Sequence, residues 1–349
     1  MTLDSKLMTP LVVILGETAS GKSALALEIA KRFNGEIICA DSWTVYKDFD
    51  IGTAKPSGLD RAMAPHHLLD VASAHGGFNA VVFQQLALAA MKSIAARGRL
   101  PILVGGTGLY IDSVIYHYEF LAAPPPGMRE VLNKLSLDEL LERAERQGLL
   151  TEGIDTRNKR RVIRLIENEG KLPSRKPLRE NTLLLGVSVP RDELRSRVEL
   201  RVDAMLAAGL EDEVAHLKDE YGWDAEPMKG IGYREWQKYF DGKPDLRKIP
   251  ASQGLSGGSE PVISEREVAI ATLKEERAGA ARQNDSGAGG ALSKSGEQTL
   301  LETRELIIRA TMNLAKRQRT WFKRNDSIQW VSDPSQAVDL ATTVLNKIQ

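Results

Sequence analysis

One cysteine, Cys39, in 349 residues excludes an intramolecular disulfide and a cysteine-rich zinc site. Net charge is also absent. The 47 Lys and Arg balance 47 Asp and Glu, which excludes a uniformly basic nucleic-acid coat but leaves room for a local basic groove. Long apolar runs are missing too. The N-terminal part offers only Leu11 to Leu15, short of a signal-peptide core and of the roughly 20 apolar residues of a membrane span. A cytoplasmic protein with no membrane partner is therefore expected. Residues 250 to 300 lack Phe, Trp and Tyr and hold eight Gly, eight Ala and seven Ser. Such a stretch buries too little apolar surface to offset chain entropy, and most of it is expected to be disordered. What is present is an ordinary globular composition, 42% hydrophobic and 27% charged, in a length that suits two domains or one domain with an insertion.

The order of segments suggests a parallel sheet. Pro10 to Leu15 is a short apolar run that ends in a glycine, as a buried strand should. A helical pattern runs from Lys22 to Phe33, with Leu25, Ile29 and Phe33 on one face. Glu36 to Ala40 reads as a second strand, Asn79 to Arg97 as an amphipathic helix and Leu100 to Val104 as a third strand. This alternation predicts an α/β domain with right-handed crossovers. From about Glu119 to Asn181 the character changes. Pro124-Pro125-Pro126 breaks the chain, and the residues beyond it are helical and charged. Between Arg157 and Arg179, nine basic residues stand against Glu167 and Glu169, a local excess of +7. Leu183 to Val189 returns to the sheet, and a second helical region covers Arg191 to Tyr221. The expected division is a core of residues 1–118, 182–245 and 301–349, an inserted helical subdomain at 119–181, and a low-complexity insertion at 246–300. Order is expected to resume near Leu301 in a helix to about Phe322.

Gly16-Glu17-Thr18-Ala19-Ser20-Gly21-Lys22-Ser23 fits the eight-residue phosphate-loop pattern, with a strand before it and a helix beginning inside it. Its glycines let backbone N–H groups turn toward an anion, and the helix start adds a favourable dipole. Lys22 would neutralise phosphate oxygens and the Ser23 hydroxyl would ligate Mg²⁺. The loop marks a nucleotide- or diphosphate-binding protein without saying which phosphate compound binds.

Asp41-Ser42-Trp43-Thr44-Val45-Tyr46 closes the second strand. In an open α/β sheet, ligands gather at the carboxyl ends of strands, so Asp41 should face the phosphate loop. A carboxylate there can hold Mg²⁺ or accept a proton from a nucleophile; capping a helix or turn is the plainer alternative. Gly105-Gly106-Thr107-Gly108-Leu109-Tyr110 comes after the third strand, and Thr107 can hydrogen-bond a phosphate or a leaving-group oxygen. Pro65-His66-His67-Leu68-Leu69-Asp70 reads as a structural turn, in which a histidine is more often a hydrogen-bonded scaffold residue than a catalyst.

Together with Asp50 to Pro56, these segments resemble the tRNA dimethylallyltransferase family, also called tRNA isopentenyltransferases. Arg160-Arg161-Val162-Ile163-Arg164, Lys229-Gly230-Ile231-Gly232-Tyr233-Arg234 and Ala315-Lys316-Arg317-Gln318-Arg319-Thr320-Trp321-Phe322 continue the likeness in the family's order. Glu17 departs from the family, standing where proline is usual, and places an acid beside an anion site unless its side chain turns outward. Thr44 stands where glutamine is frequent and shortens a side chain expected to touch the target base. The 246–300 segment is longer than the family's usual connection, and the inserted helical region is shorter.

The resemblance implies a phosphate-loop parallel sheet with an inserted, tRNA-binding helical subdomain. It also implies transfer of a dimethylallyl group from dimethylallyl diphosphate to N6 of adenosine 37, beside the tRNA anticodon. Under it the loop holds the isoprenoid diphosphate, so ATP need not enter. Arg201 matches the position that reaches the diphosphate, Asp41 is the candidate base and Thr107 would orient the leaving group. Contacts with the anticodon stem-loop are implied for Asp41 to Thr44, Thr107, Arg129, Arg160 to Arg164, Lys229 to Arg234, and Lys316 to Lys323. Mg²⁺ is the implied cofactor and a monomer the expected state. Three readings compete: a small-molecule kinase using ATP, an isopentenyltransferase acting on free adenine nucleotides, and a nucleotide-switched RNA-binding protein. The basic insertion and the Lys316 to Lys323 stretch favour tRNA, since a free nucleotide needs neither.

Overall fold

The computed structural model describes residues 9–241 and 291–348. Six parallel strands form one sheet in the order β3-β2-β4-β1-β5-β6. They are β1 (Leu11–Gly16), β2 (Gly35–Ala40), β3 (His66–His67), β4 (Leu100–Gly105), β5 (Thr182–Val187) and β6 (Gln329–Val331). Strands β1 and β2 are buried along their full length, as continuous apolar runs in a sheet covered on both faces should be.

Helices α1 (Lys22–Arg32) and α12 (Pro334–Ile348) cover one face of the sheet, and α3 (Ala80–Ala96) and α4 (Gly108–Ile115) cover the other. Leu25 and Ile29 of α1 pack with Val12, Ile14 and Val338. Phe83, Met91 and Ile94 of α3 pack with Val13, Leu15 and Leu103. Alternate β1 residues thus serve opposite layers, following the period of two. Asn79 starts α3 as its cap, its side chain accepting from the N–H groups of Val81 and Val82. A short α2 (Gly58–Met63) precedes β3, capped reciprocally by Ser57 and Asp60.

Between α4 and β5 lie α5 (Met128–Lys134), α6 (Leu137–Arg146) and α7 (Lys159–Glu167), packed around a separate apolar cluster that includes Leu132, Leu140, Val162 and Ile166. The helical region expected from Arg191 to Tyr221 is two helices, α8 (Arg191–Ala207) and α9 (Leu210–Tyr221). They part at Gly209, whose φ of 100° ends the first run and caps the second. Two 3₁₀ turns, Glu226–Lys229 and Arg234–Trp236, lead into α10 (Gln237–Asp241).

The long helix α11 (Ala291–Phe322) begins ten residues earlier than the expected Leu301, inside the stretch read as disordered. Composition misleads at that point because Ala, Leu and Lys at 291–294 continue a helix whose later turns are anchored by Leu300, Ile307 and Ile308. The rest of the low-complexity expectation, 246–290, lies outside the described residues. Among the described residues, no helix is long and apolar enough to cross a membrane.

Candidate active site

Four adjacent strands end side by side. Gly105 of β4 lies opposite Leu15 of β1 and Ala40 of β2, and Gly16 of β1 lies opposite Val187 of β5. The phosphate loop, Asp41 and Thr107 leave these ends together, as the sheet rule requires. Gly16 must be glycine: its φ is +153°, and a Cβ there would sit 2.6 Å from the Val187 carbonyl oxygen.

Within the loop, Lys22 Nζ donates to the Glu17 carbonyl at 2.9 Å. Burial, then Arg201, pull the Lys22 pKa down to about 8 against the opposing pull of Asp41 and Glu17. Arg201 of α8 donates to Thr18 Oγ1 at 3.2 Å, and its neighbour one turn earlier, Arg197, donates to the Ser20 carbonyl at 3.1 Å. Burial lowers the pKa of Arg201, opposed by Asp41. Lys22, Arg201 and Thr18 therefore line one space. Ser23 is exposed at the first turn of α1.

Asp41 Oδ1 accepts from the Trp43 N–H at 2.8 Å, which fixes the carboxylate, and Asp41 lines the same space as Thr18 and Arg201. Thr107 Oγ1 accepts from the Ser42 N–H at 3.1 Å and lies 3.4 Å from Ser42 Oγ. Cys39 lies close to Asp41, but burial, then the Asp41 charge, push its thiol up to about 12, which leaves it protonated.

Two adjoining cavities share Thr18, Asp41, Thr53 and Arg201. One, of about 290 Å³, includes Lys22, Ser23 and Thr44 in its wall. The other, of about 70 Å³, has an apolar side made by Val198, Val202 and Met205 of α8 and Ile307 and Leu314 of α11. Sequence reading missed this apolar side. Its signal is the helical spacing of 198, 202 and 205, which alternates with Arg201 on a helix that otherwise reads as charged.

Several residues expected at an RNA surface lie elsewhere. Val162 and Ile163 are in the core of the helical insertion, because the 3.6-residue period turns them inward while Arg160 and Arg161 stay exposed. Arg129 and Arg164 reach the surface, with side chains 42% and 38% exposed, while both also hold the buried carboxylate of Glu167. Tyr233 and Phe322 are core residues, and Gly230 and Gly232 are buried in a tight turn between exposed Lys229 and Arg234. Thr44 is buried and, among the described residues, its hydroxyl has no hydrogen-bond partner. Trp321 packs on Gly108 and donates to Asp112 Oδ2 at 2.9 Å. Of the α11 motif, Lys316, Arg317, Thr320 and Lys323 are exposed.

Gln318 and Arg319 instead brace the loops. Gln318 accepts from the Thr18 N–H at 2.8 Å and donates to the Gly106 carbonyl at 3.0 Å, joining the phosphate loop to the Thr107 loop. Arg319 makes a two-pronged ion pair with Glu17, both contacts 2.8 Å, and donates to the Val189 carbonyl at 3.0 Å. The Glu17 side chain is therefore buried and neutralised by Arg319, and the outward-turned alternative does not hold. His66 and His67, expected in a turn, form strand β3 instead, because they pair in parallel with Ile37 and Ile38 of β2. His67 Nε2 meets Glu36 Oε2 at 2.6 Å, and His66, whose Nδ1 meets the Ala64 carbonyl at 2.8 Å, lies in the wall of the cavity that includes Lys22.

Residues 44–284 match the family model described as IPP transferase. The chain is 43% identical over 253 residues to a tRNA dimethylallyltransferase of Roseiflexus sp., covering 68% of this chain and 83% of that protein. A Pediococcus pentosaceus protein of the same name is 34% identical over 336 residues, covering 93% and 91%. The fold is similar to the crystal structure of full-length tRNA isopentenylpyrophosphate transferase from Bacillus halodurans. That match has 28% identity, a TM-score of 0.62 and 97% coverage of both chains.

Proposed function

The chain belongs to the tRNA dimethylallyltransferase family and transfers a dimethylallyl group to tRNA; from that premise we propose that the donor is dimethylallyl diphosphate and the acceptor is N6 of adenosine 37. The observation that carries this reading is the pair of adjoining cavities, with Lys22 in the wall of one, the apolar flank from α8 and α11 in the wall of the other, and Asp41 and Arg201 in the wall of both. A five-carbon chain with a diphosphate head uses both the cationic and the apolar walls of such a site.

The exocyclic amine of adenine is a poor nucleophile, because its lone pair is delocalised into the ring. As its N6–C1 bond forms and the C1–O bond to diphosphate breaks, Asp41 takes the N6 proton. The Trp43 N–H anchors one Asp41 oxygen at 2.8 Å, leaving the other to act as acceptor. Charge developing on the departing diphosphate falls on Lys22, Arg201 and the loop amides. Thr107, held by the Ser42 N–H, orients that leaving group.

Mg²⁺ fits the donor set. It holds few protein ligands beside substrate phosphates and water. Among the described residues there is no cluster of three His, Cys, Asp or Glu that would bind a metal unaided. Exposed Ser23, on the rim of the cavity shared with Lys22, would hold the ion, which would supply Lewis-acid neutralisation of the leaving diphosphate.

The target base must leave its stack, at a cost of a few kcal/mol. Exposed Arg160 and Arg161 on α7, with Lys316, Arg317 and Lys323 on α11, supply the phosphate contacts that offset it. The test is transfer itself. Purified protein, Mg²⁺, dimethylallyl diphosphate and an anticodon stem-loop bearing adenosine 37 should yield RNA heavier by one C₅H₈ unit on that nucleotide. Modification of free AMP alone would refute tRNA as the acceptor, and phosphoryl transfer without prenylation would refute the reaction.

A further inference from the structure

Glu213 has no part in the chemistry above. It lies on α9, away from the phosphate loop, yet its carboxylate gathers four donors. The backbone N–H groups of Asp50, Ile51 and Gly52 reach it at 3.2, 2.7 and 3.0 Å. The Tyr233 hydroxyl donates to it at 2.8 Å. Burial, then the Glu213 charge, hold Tyr233 well above the usual phenol range, so it remains a donor. These donors belong to two segments far apart in sequence, the loop after Phe49 and the turn that ends at Tyr233. Each supplies a wall of the cavity that holds Asp41: Gly52 and Thr53 from the first, Ile231 and Gly232 from the second. The two walls touch. A Cβ on Gly52 would lie 2.5 Å from the Tyr233 ring.

We infer that Glu213 is a positioning residue for the transfer reaction: a carboxylate strut that sets the Gly52–Thr53 wall against the Ile231–Tyr233 wall and so fixes where the acceptor base stands relative to Asp41. The role rests on the proposed transfer to adenine N6 with Asp41 as base. A carboxylate suits it, because it is acceptor-only and can serve both segments with two oxygens. A glutamine offers one carbonyl oxygen and turns an NH₂ toward N–H donors. A small displacement of such a wall costs rate through misorientation, without touching the groups that hold the diphosphate.

The experiment measures steady-state transfer to the stem-loop for wild type, Glu213→Gln, Tyr233→Phe and the double variant, with inorganic diphosphate affinity measured by calorimetry on each. Glu213→Gln should lower kcat by about tenfold or more while diphosphate affinity stays within about twofold. Tyr233→Phe, which keeps its ring against Gly52, should lower kcat by about threefold. The double variant should be no slower than Glu213→Gln, because both changes act through one strut. A Glu213→Gln enzyme within about twofold of wild-type kcat would overturn the inference. So would diphosphate affinity falling in step with kcat, which would mark general loosening. Should Glu213→Gln not fold, Tyr233→Phe decides, and an unchanged kcat overturns the strut. A wild-type chain inactive on the stem-loop would overturn the reaction reading itself, and this role with it.

Discussion

Arg319→Ala should destabilise the protein and weaken its phosphate loop without changing how tRNA binding responds to salt. The carboxylate of Glu17 is only 6% exposed, whereas the Arg319 side chain is 35% exposed. Removing one partner of a fully buried ion pair costs about 3–5 kcal/mol, because a desolvated charge is left alone. Water reaches this pair from the Arg319 side, so the expected loss is nearer about 2 kcal/mol. Glu17→Gln is milder, at about 1 kcal/mol, since the freed guanidinium keeps its bond to the Val189 carbonyl and can turn to solvent. The double variant Glu17→Gln/Arg319→Ala should then lose less than the sum of the two, which is the signature of direct coupling.

Urea unfolding of the four proteins measures this cycle. Salt titration of tRNA binding separates bracing from RNA contact. An arginine that neutralises a phosphate contributes about 0.9 to the slope of log K against log salt, and its removal lowers the slope by that amount. Arg319, occupied by Glu17 and Val189, should contribute nothing. An unchanged urea midpoint together with a reduced slope would refute the bracing role and return Arg319 to the RNA surface.

Lys22 predicts a pH dependence. Its pKa is about 8 in the free protein, and a bound diphosphate favours the charged form. Affinity should therefore be flat below pH 8 and weaken above it by up to about tenfold per pH unit, with proton uptake on binding. Calorimetry in buffers of different ionisation enthalpy tests it, and proton release above pH 8 would contradict it. On α7, Ile163→Ala should cost about 2–4 kcal/mol of stability with no change in salt slope, whereas Arg160→Ala should do the reverse. Denaturation and salt titration of the same two proteins give the answer. At the far end of β2, burial alone would raise the Glu36 pKa, but the bonds from Arg97 and His67 outweigh it and leave it lowered. Its stabilisation is present above the ordinary carboxylate range and lost as pH falls through the folded-state value. The stability gap between wild type and Glu36→Gln, about 2 kcal/mol at neutral pH, should close in acid. A gap independent of pH would show that the carboxylate charge is not what Glu36 contributes.

Four of the six strands, β1, β2, β4 and β5, were legible because each is a short, largely apolar run, whereas the two-residue β3, read as a turn, and the three-residue β6 carry no such run. The phosphate loop was legible because its spacing has few other uses. Asp41 and Thr107 were legible for a related reason: each comes just after a strand whose carboxyl end must face the ligand. Residues whose roles depend on packing across long sequence separations were not. Glu17 and Arg319 are 302 positions apart, and nothing local marks either as the other's partner. The buried Thr44 hydroxyl and the pairing of Arg129 with Glu167, 38 positions away, are likewise products of tertiary placement, whereas Arg164 and Glu167 are an i, i+3 pair on one helix.

The α11 motif is the instructive case, because its basic composition invites a single meaning that the helix cannot give it. Positions 315, 318, 319 and 322 fall on one face at the i, i+3, i+4, i+7 spacing, and there Ala315 and Phe322 fill the core while Gln318 and Arg319 hold the loops. Lys316, Arg317, Thr320 and Lys323 fall on the other face and stay exposed. The inward face braces the loop that the proposed reaction assigns to the diphosphate, and the outward face is the one that proposal assigns to RNA. About two and a half turns of helix thus carry the loop bracing and the exposed charge back to back, and a substitution on either face should be read by the face it sits on rather than by its charge.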